Sequence, residues 1–410
     1  MKLLHTSDWH LGRMTYNHSR ADDYDAVLSE IAQLAREQRP DLMLHTGDLF
    51  DVPRPAYTDI ERGLNALQEL AAVAPVVVLC GNHDSPALFR IFSRLLGSRS
   101  PIRFIDRPRH PNDGGILEYP SAAGERIRLA PLPFVHPNRL VDAFDSPDTW
   151  NADYADRVQG FEDILAQGLL AGSDPARDIL LFAAHLHVGG ASYSGSERQV
   201  TVSDAYATRA ERLPVVSYAA FGHIHKPQRL PGPVPGRYAG SPIQLDFGEE
   251  GEEKQVVLVE AAPGRPADIV EVRLKSGRPL KRVAGTIDEI RAQAPTVGDA
   301  LCLVTVRTES PVPDLSRQMR DLLPNATVLD VFEVSERLAV TVVTRDSVGG
   351  RPEQTVRELF AEYLDGLAIP GRQRAFDVFS TILEALAEET LPQFAEEDAL
   401  AAPLPGQEAR

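Results

Sequence analysis

The length, composition and charge of the chain are those of a folded globular protein. It has 410 residues, 43% of them hydrophobic and 25% charged, which excludes wholesale disorder, and the length allows two or three domains. No apolar run approaches the roughly 18 residues of a membrane span, and the start MKLLHTSDWH lacks the apolar core of a secretory signal. Cys80 and Cys302 lie far apart and outside any C-x-x-C pair, so the sequence predicts no disulfide framework and favours a cytoplasmic setting.

The formal net charge is −17, from 42 Lys and Arg against 59 Asp and Glu. This balance argues against a protein that holds nucleic acid by bulk electrostatics, although bound metal ions could supply positive charge locally. Acidic residues concentrate at 249–253 and in the tail at 388–398, and both runs are interpreted as solvated surface.

Apolar strands alternate with amphipathic helices over the first hundred residues. Strands are predicted at 2–6, 42–46 and 75–80, and helices at 23–37, 58–72 and 86–96. This β-α-β-α-β order predicts an α/β fold with a buried sheet flanked by helices.

The remainder of the chain is richer in strands and contains two breaks. Strands are predicted at 126–130, 179–184, 215–221, 237–239, 256–259 and 269–274, with a helix at 154–169. After a turn-rich break at 275–279 come helices at 286–292 and 314–322 with strands at 301–307, 328–334 and 338–344; after Gly349-Gly350 come helices at 352–367 and 374–389. The chain is therefore divided into 1–275, 280–346, 352–390 and a flexible tail at 391–410.

Metal-ligand residue types follow the carboxyl ends of five apolar strands. They are Asp8 and His10; Asp48; Asn82, His83 and Asp84; His185; and His223 and His225. In an open α/β sheet these strand ends share one edge, so the side chains are expected to converge there.

The spacing and chemistry of these residues indicate a metal site. Residues two apart on an extended backbone can face the same way, as in D-W-H and G-H-I-H. A set of imidazole, carboxylate and amide donors without sulfur suits manganese, iron or zinc. His5 and His45 lie inside strands and are interpreted as core residues, and His187 is an alternative to His185.

These blocks resemble the calcineurin-like metallophosphoesterases and, among them, the nuclease subunits of bacterial SbcCD-type complexes. The flanking segments LHTSDWHLGR at 4–13, GDLFD at 47–51, LCGNHDS at 79–85 and YAGSPIQLDFGE at 238–249 carry the resemblance. It implies a β-sandwich-like core flanked by helices, a small α/β capping domain and a C-terminal helical pair.

The resemblance also implies a site with two divalent ions, most simply Mn²⁺. One ion would be held by Asp8, His10, Asp48 and His225, and the other by Asp48, Asn82, His185 and His223. His83 would protonate the leaving oxygen, with Asp84 orienting its ring. Some relatives carry a catalytic histidine at the position of Asp51, which this chain lacks.

The implied activity is exonuclease and endonuclease cleavage of DNA at ends and hairpins, in repair, recombination and replication. The segment carrying Arg13, Asn17, His18 and Arg20 would touch DNA. The C-terminal helices would bind an SbcC-type coiled-coil ATPase, unless their apolar faces bury each other. Helices 58–72 and 86–96 would form a homodimer contact, unless they pack only on the sheet.

Two other functions remain open at this point. A phosphomonoesterase or nucleotide phosphodiesterase could use the same site, but it would not need the roughly 135 residues that follow residue 275. A non-catalytic scaffold for an ATPase would be expected to lack some of the ligands, and the sequence retains all of them.

Overall fold

The computed structural model describes residues 1–135, 147–194, 208–310 and 312–335, together with 360, 364 and 372–387. Residues 1–339 and 340–410 form two compact units. No helix in these described ranges is long and apolar enough to cross a membrane.

The elements follow in chain order. The strands are β1 (Lys2–Thr6), β2 (Met14–Thr15), β3 (His18–Ser19), β4 (Leu42–His45), β5 (Val76–Leu79), β6 (Ile102–Ile105), β7 (Leu117–Pro120), β8 (Arg126–Leu132), β9 (Asp178–His185), β10 (Tyr218–Gly222), β11 (Gln228–Arg229), β12 (Gly236–Tyr238), β13 (Gln255–Glu260), β14 (Asp268–Arg273), β15 (Leu280–Gly285), β16 (Leu301–Thr308) and β17 (Thr327–Ser335). The helices are α1 (Ala21–Gln38), α2 (Tyr57–Ala71), α3 (Pro86–Leu96), α4 (Pro147–Leu170), α5 (Ile287–Val297), α6 (Leu315–Leu322) and α7 (Arg372–Ala387).

Two six-stranded sheets form the core of the larger unit. The first has the order β14-β13-β1-β4-β5-β6 and the second the order β11-β12-β10-β9-β8-β7. Strands β1, β4, β5 and β6 are parallel, as are β8, β9, β10 and β12. Both parallel blocks therefore deliver the carboxyl ends of their strands to one edge of their own sheet.

The two sheets pack face to face, and side chains that alternate along each strand enter different parts of the core. Leu3 of β1 faces the cluster between the sheets, which also contains Leu181 of β9, whereas Leu4 faces the helical side. Because side chains alternate along a strand, each sheet buries both faces: one against the other sheet, and one against helices. Helices α1, α2 and α3 cover the first sheet and α4 covers the second, which confirms the predicted sandwich-like core flanked by helices.

A smaller three-stranded parallel sheet, β15-β16-β17, follows the sandwich and packs with α5 and α6. The capping box at the start of α5 joins Thr286 and Glu289 through reciprocal hydrogen bonds, which fixes where this helix begins. Strand β15 is absent from the predicted elements, which place only a linker before α5. The predicted strand at 338–344 lies outside the described residues.

In the C-terminal unit, α7 corresponds to the helix predicted at 374–389. The rings of Phe360 and Phe379 stack with their centroids 3.9 Å apart. This contact joins the two apolar faces noted in the sequence. The remainder of the helix predicted at 352–367 lies outside the described residues, apart from Phe360 and Leu364.

Helix α4 carries one acid on the face that it buries against the second sheet. Glu162 lies in line with Val158, Leu165 and Leu169 and has no exposed surface. Its Oε2 accepts a 2.7 Å hydrogen bond from Thr208, whereas Oε1 has no partner among the described residues. Burial raises the pKa of Glu162 from 4.5 to about 7.

This acid makes the stability of the fold depend on pH. Between pH 4.5 and about 7 the folded chain holds a proton that the unfolded chain releases, so the free energy of unfolding falls as pH rises through this window. We expect Glu162→Gln to remove this fall and to be more stable than the wild type at pH 8 by up to about 3 kcal/mol.

Urea unfolding at several pH values measures this effect, and the exposed Glu211→Gln is the control for losing one carboxylate. A wild-type free energy of unfolding that stays level between pH 4.5 and 7.5 would contradict the assignment.

Candidate metal centre

Every side chain predicted to bind metal lies at the carboxyl end of a core strand. Asp8 and His10 follow β1, Asp48 follows β4 and Asn82 follows β5, all in the first sheet; His185 ends β9, and His223 and His225 follow β10, in the second sheet. The site therefore lies where two sheets meet, and not at the edge of a single sheet as expected from the sequence.

The backbone at these strand ends is unusual. Four of these residues have positive φ angles: 50° at Asp8, 49° at His10, 52° at Asp48 and 102° at His223. Residues other than glycine rarely adopt such angles. Such conformations persist where the surrounding structure enforces them, commonly at functional sites.

Glycine permits the close packing around these turns. A Cβ atom at Gly81 would lie 2.1 Å from Oδ1 of Asp48, and one at Gly47, where φ is +110°, would lie 2.1 Å from Nδ1 of His185. Any side chain at either position would therefore push a candidate ligand out of place.

One group of donors consists of Asp8, His10, Asp48 and His225. One ligand atom from each lies within 4.8 Å of those of the others, and all four residues are buried. Nε2 of His10 lies 3.0 Å from Nε2 of His225 and 3.5 Å from Oδ2 of Asp48.

A second group consists of Asp48, His185 and His223, again with donor atoms within 4.8 Å of one another. Asn82 completes it, because its Oδ1 lies 2.8 Å from both Nε2 of His185 and Nδ1 of His223. Nε2 of His185 lies 3.4 Å from Oδ2 of Asp48. Asp48 therefore belongs to both groups.

The chemistry of these donors fits divalent cations. Nδ1 of His10 faces the Asp51 carboxylate at 3.3 Å, and Nδ1 of His225 faces the Glu249 carboxylate at 3.4 Å. A proton on each Nδ1 satisfies these carboxylates and leaves two Nε2 lone pairs facing each other at 3.0 Å. A bound cation would be coordinated by these lone pairs and would remove their repulsion, and the mixed nitrogen and oxygen donor set indicates a site for divalent metal ions.

The electrostatics of the buried carboxylates follow from this crowding. Burial raises the pKa of Asp8. Burial acts in the same direction on Asp48, but the neighbouring His185 and His83 outweigh it and hold the pKa of Asp48 well below its usual range. In turn, burial disfavours a charge on His185, but the Asp48 carboxylate outweighs it and raises the pKa of His185 to about 9.

The His83 ring has a different orienting group from the one expected. Its Nδ1 lies 2.7 Å from the main-chain carbonyl oxygen of Asp51. The Asp84 carboxylate instead accepts hydrogen bonds from the main-chain N–H groups of Gly81, Leu49 and Phe50. Asp84 therefore ties the turn after β5 to the turn after β4.

The four residues expected to touch DNA have different surroundings. Asn17 is exposed, and Arg13 is partly exposed, with its guanidinium 3.5 Å from Asp51. His18 is partly buried, with Nε2 3.4 Å from Arg278.

Arg20 contradicts the expectation, because it is only 1% exposed. It donates to the Asp23 carboxylate at 2.7 Å and to the carbonyl oxygens of Gln244 at 2.8 Å and Arg278 at 3.1 Å. Asp23 also accepts hydrogen bonds from Arg278. Arg20 therefore fastens the segment after β1 to the linker before β15, and it offers no charge to a ligand at the surface.

Three further histidines are buried away from the two donor groups. His5 is bonded through Nδ1 to Tyr218 and through Nε2 to Thr46, as expected of a core residue, and burial lowers its pKa to about 3. His45 packs edge-on against Trp9. The ring of His187 lies edge-on to that of Tyr193. It is His185, and not the alternative His187, that belongs to the second donor group.

Glu249 and Lys254 contact the candidate ligand His225, and the sequence analysis did not single out either residue. Glu249 belongs to the acidic run interpreted as solvated surface, yet it has no exposed area and faces His225. The signal available in the sequence was the apolar spacing of Leu245 and Phe247 just before it, which predicts that this stretch enters the core.

Comparisons with known proteins identify the family to which this chain is similar. A family model for calcineurin-like phosphoesterases matches residues 1–227, and one for the type 5 capsule protein repressor C-terminal domain matches residues 276–366. The chain is 32% identical to the SbcD component of the nuclease SbcCD of Bacillus subtilis, over 68% of this chain and 71% of that protein. It is 28% identical to the SbcD of Escherichia coli K12 (95% and 99% covered) and 26% identical to that of Rhodobacter capsulatus (77% and 82% covered).

The contacts of Arg20 predict a loss of stability on its replacement. We expect Arg20→Met to lower the free energy of unfolding by about 3–5 kcal/mol, because it breaks a buried ion pair and leaves two carbonyl groups without their donor. Urea unfolding measures this. Asn17→Gly, on the same segment, is the control: it removes an exposed side chain at a position with φ of 59°, which glycine adopts without strain, and it should stay within about 0.5 kcal/mol of the wild type. An Arg20→Met protein that is as stable as the wild type but binds nucleic acid weakly would contradict the buried role.

Proposed function

Because the chain belongs to the SbcD family of the calcineurin-like phosphoesterases, we propose that it is the nuclease component of an SbcCD-type complex. The reaction is hydrolysis of phosphodiester bonds in DNA, by exonuclease and endonuclease action, with two Mn²⁺ ions. The observation that carries this proposal is the pair of buried donor groups that share Asp48.

The proposed ligands are those that converge in the structure. Asp8, His10, Asp48 and His225 hold one ion, and Asp48, Asn82, His185 and His223 hold the other. When bound, the ions supply positive charge for the phosphate oxygens and lower the pKa of a water molecule. A local cationic centre of this kind suits a chain whose net charge is −17.

His83 is the proposed general acid. Its Nδ1 faces a main-chain carbonyl oxygen, which can only accept a hydrogen bond, so Nδ1 keeps its proton in both charge states of the ring. The proton that moves is therefore the one on Nε2, which passes to the leaving oxygen of the sugar. Asp51 orients this ring through its carbonyl oxygen while its carboxylate faces His10, so we propose a positioning role for Asp51.

Substrate DNA is proposed to approach over Arg13, which is partly exposed, and Asn17, which is exposed, in the segment after β1. The C-terminal helices are the proposed docking segment for an SbcC-type coiled-coil ATPase. One aromatic residue from each predicted helix, Phe360 and Phe379, already stacks on the other. The partner would then bind the faces that remain exposed, such as that of Val378.

A homodimer through α2 and α3 also remains a proposal. Ile91 and Leu95 of α3 are 51% and 80% exposed, whereas Phe89 and Phe92 of the same helix are buried on the first sheet. Helix α3 thus has one face for the core and a second apolar face for a partner.

Incubation of the purified chain with DNA tests the activity. We expect linear duplex and single-stranded DNA to be degraded with Mn²⁺ and to stay intact with a chelator. p-Nitrophenyl phosphate in parallel tests the alternative of a phosphomonoesterase. Rapid release of nitrophenol with intact DNA would favour that alternative.

Two substitutions separate the acid from the metal ligands. We expect His83→Ala to lower cleavage by about 10²–10⁴-fold while metal content stays near that of the wild type, since general acid catalysis contributes that much. Asp48→Ala should lose bound metal and activity together, because both donor groups use this carboxylate. Metal content by mass spectrometry and cleavage rates on a gel measure both effects, and a fully active His83→Ala would remove the proposed acid.

A further inference from the structure

The acidic run at 249–253 begins with a buried residue. Glu249 has a relative exposure of 0%, whereas Glu250 and Glu253 of the same run are exposed. A buried carboxylate is costly unless it is paired and hydrogen-bonded, so its partners indicate why it is there.

Both oxygens of Glu249 are engaged. Oε2 lies 2.7 Å from Nζ of Lys254 and accepts a hydrogen bond from the main-chain N–H of Leu245 at 3.1 Å. Oε1 lies 3.4 Å from Nδ1 of His225. The carboxylate therefore sits between a fixed cation and a histidine of the first donor group.

Lys254 holds the same histidine from a second direction. Its Nζ donates to the carbonyl oxygen of His225 at 3.1 Å, and it is also paired with Glu252 at 2.9 Å. The ring of His225 is thus oriented by Glu249, its main chain by Lys254, and the two orienting groups bind each other.

We propose that Glu249 is a positioning residue for metal binding, an inference that rests on the proposed function. Its carboxylate keeps the proton of His225 on Nδ1, which leaves the Nε2 lone pair directed at Asp8, Asp48 and His10. Lys254 fixes that carboxylate in place. A carboxylate behind a metal-binding imidazole orients the ring and makes it a stronger donor.

The effect is confined to one of the two ions. His185, in the second donor group, is backed by the carbonyl oxygen of Thr46 at 2.8 Å and has no contact with Glu249 in the described hydrogen bonds. Loss of Glu249 therefore weakens binding of the ion held by His225, and the affinity for the ion held by His185 stays nearly unchanged.

Titration of the full-length chain with Mn²⁺ tests this, with free Mn²⁺ followed by electron paramagnetic resonance. We expect two bound ions in the wild type. In Glu249→Gln one of the two should bind about 10–100-fold more weakly. Glu253→Gln is the matched control, because it removes an exposed carboxylate of the same run, and it should titrate like the wild type.

The outcomes separate this inference from the proposed function. A wild-type chain that binds no Mn²⁺ would overturn both. Two ions of unchanged affinity in Glu249→Gln, or equal weakening of both, would overturn the positioning role alone. If Glu249→Gln does not fold because Lys254 is left without its buried partner, Glu249→Gln/Lys254→Met removes both charges together, and the same loss at one ion is expected.

Discussion

The carboxylate of Asp48 is the group on which the candidate site depends. It is buried, it contacts histidines from both sheets, and it is the member common to both donor groups. Asp48 lies in the turn after β4, and it packs against Gly81 in the turn after β5, where a Cβ atom would lie 2.1 Å from Oδ1 of Asp48. The main-chain N–H of His83 also donates a 2.8 Å hydrogen bond to Asp48. This bond fixes the turn that carries the proposed acid relative to the carboxylate shared by both donor groups.

The histidines of the first donor group have charged side chains behind their rings. Asp51 and Glu249 back the two histidines of the first donor group, and Lys254 neutralises Glu249. Neighbouring Lys254 and His225 hold the pKa of Glu249 well below its usual range despite burial, so its negative charge persists at neutral pH. A chain rich in acidic residues thus uses a few of them inside the core, where their partners are fixed.

The sequence predicted local structure and the motifs at strand ends, but it did not predict contacts between residues far apart in the chain. The strand-end motifs predicted which residues converge, because Asn82, His83 and Asp84 are poor choices for packing at the end of an apolar strand. They did not predict that two sheets share the site, since strand order is set by long-range pairing. Arg20 and Glu249 were misread for the same reason: their burial depends on Arg278, 258 positions away, and on His225. The short strand β7 was missed because its sequence LEYP has one aliphatic residue and ends in proline, unlike the apolar runs of β4 and β5.

The meeting of two sheets at one set of donors has a consequence for the sandwich itself. Residues that follow β1 and β4 would share each cation with residues that follow β10 or end β9, so an ion fastens one layer to the other at that edge. The stabilisation grows with the concentration of free metal: above the dissociation constant, each tenfold rise adds about 1.4 kcal/mol per bound ion to the free energy of unfolding. The stability of the two-sheet core would then depend on the concentration of free metal ions around the protein.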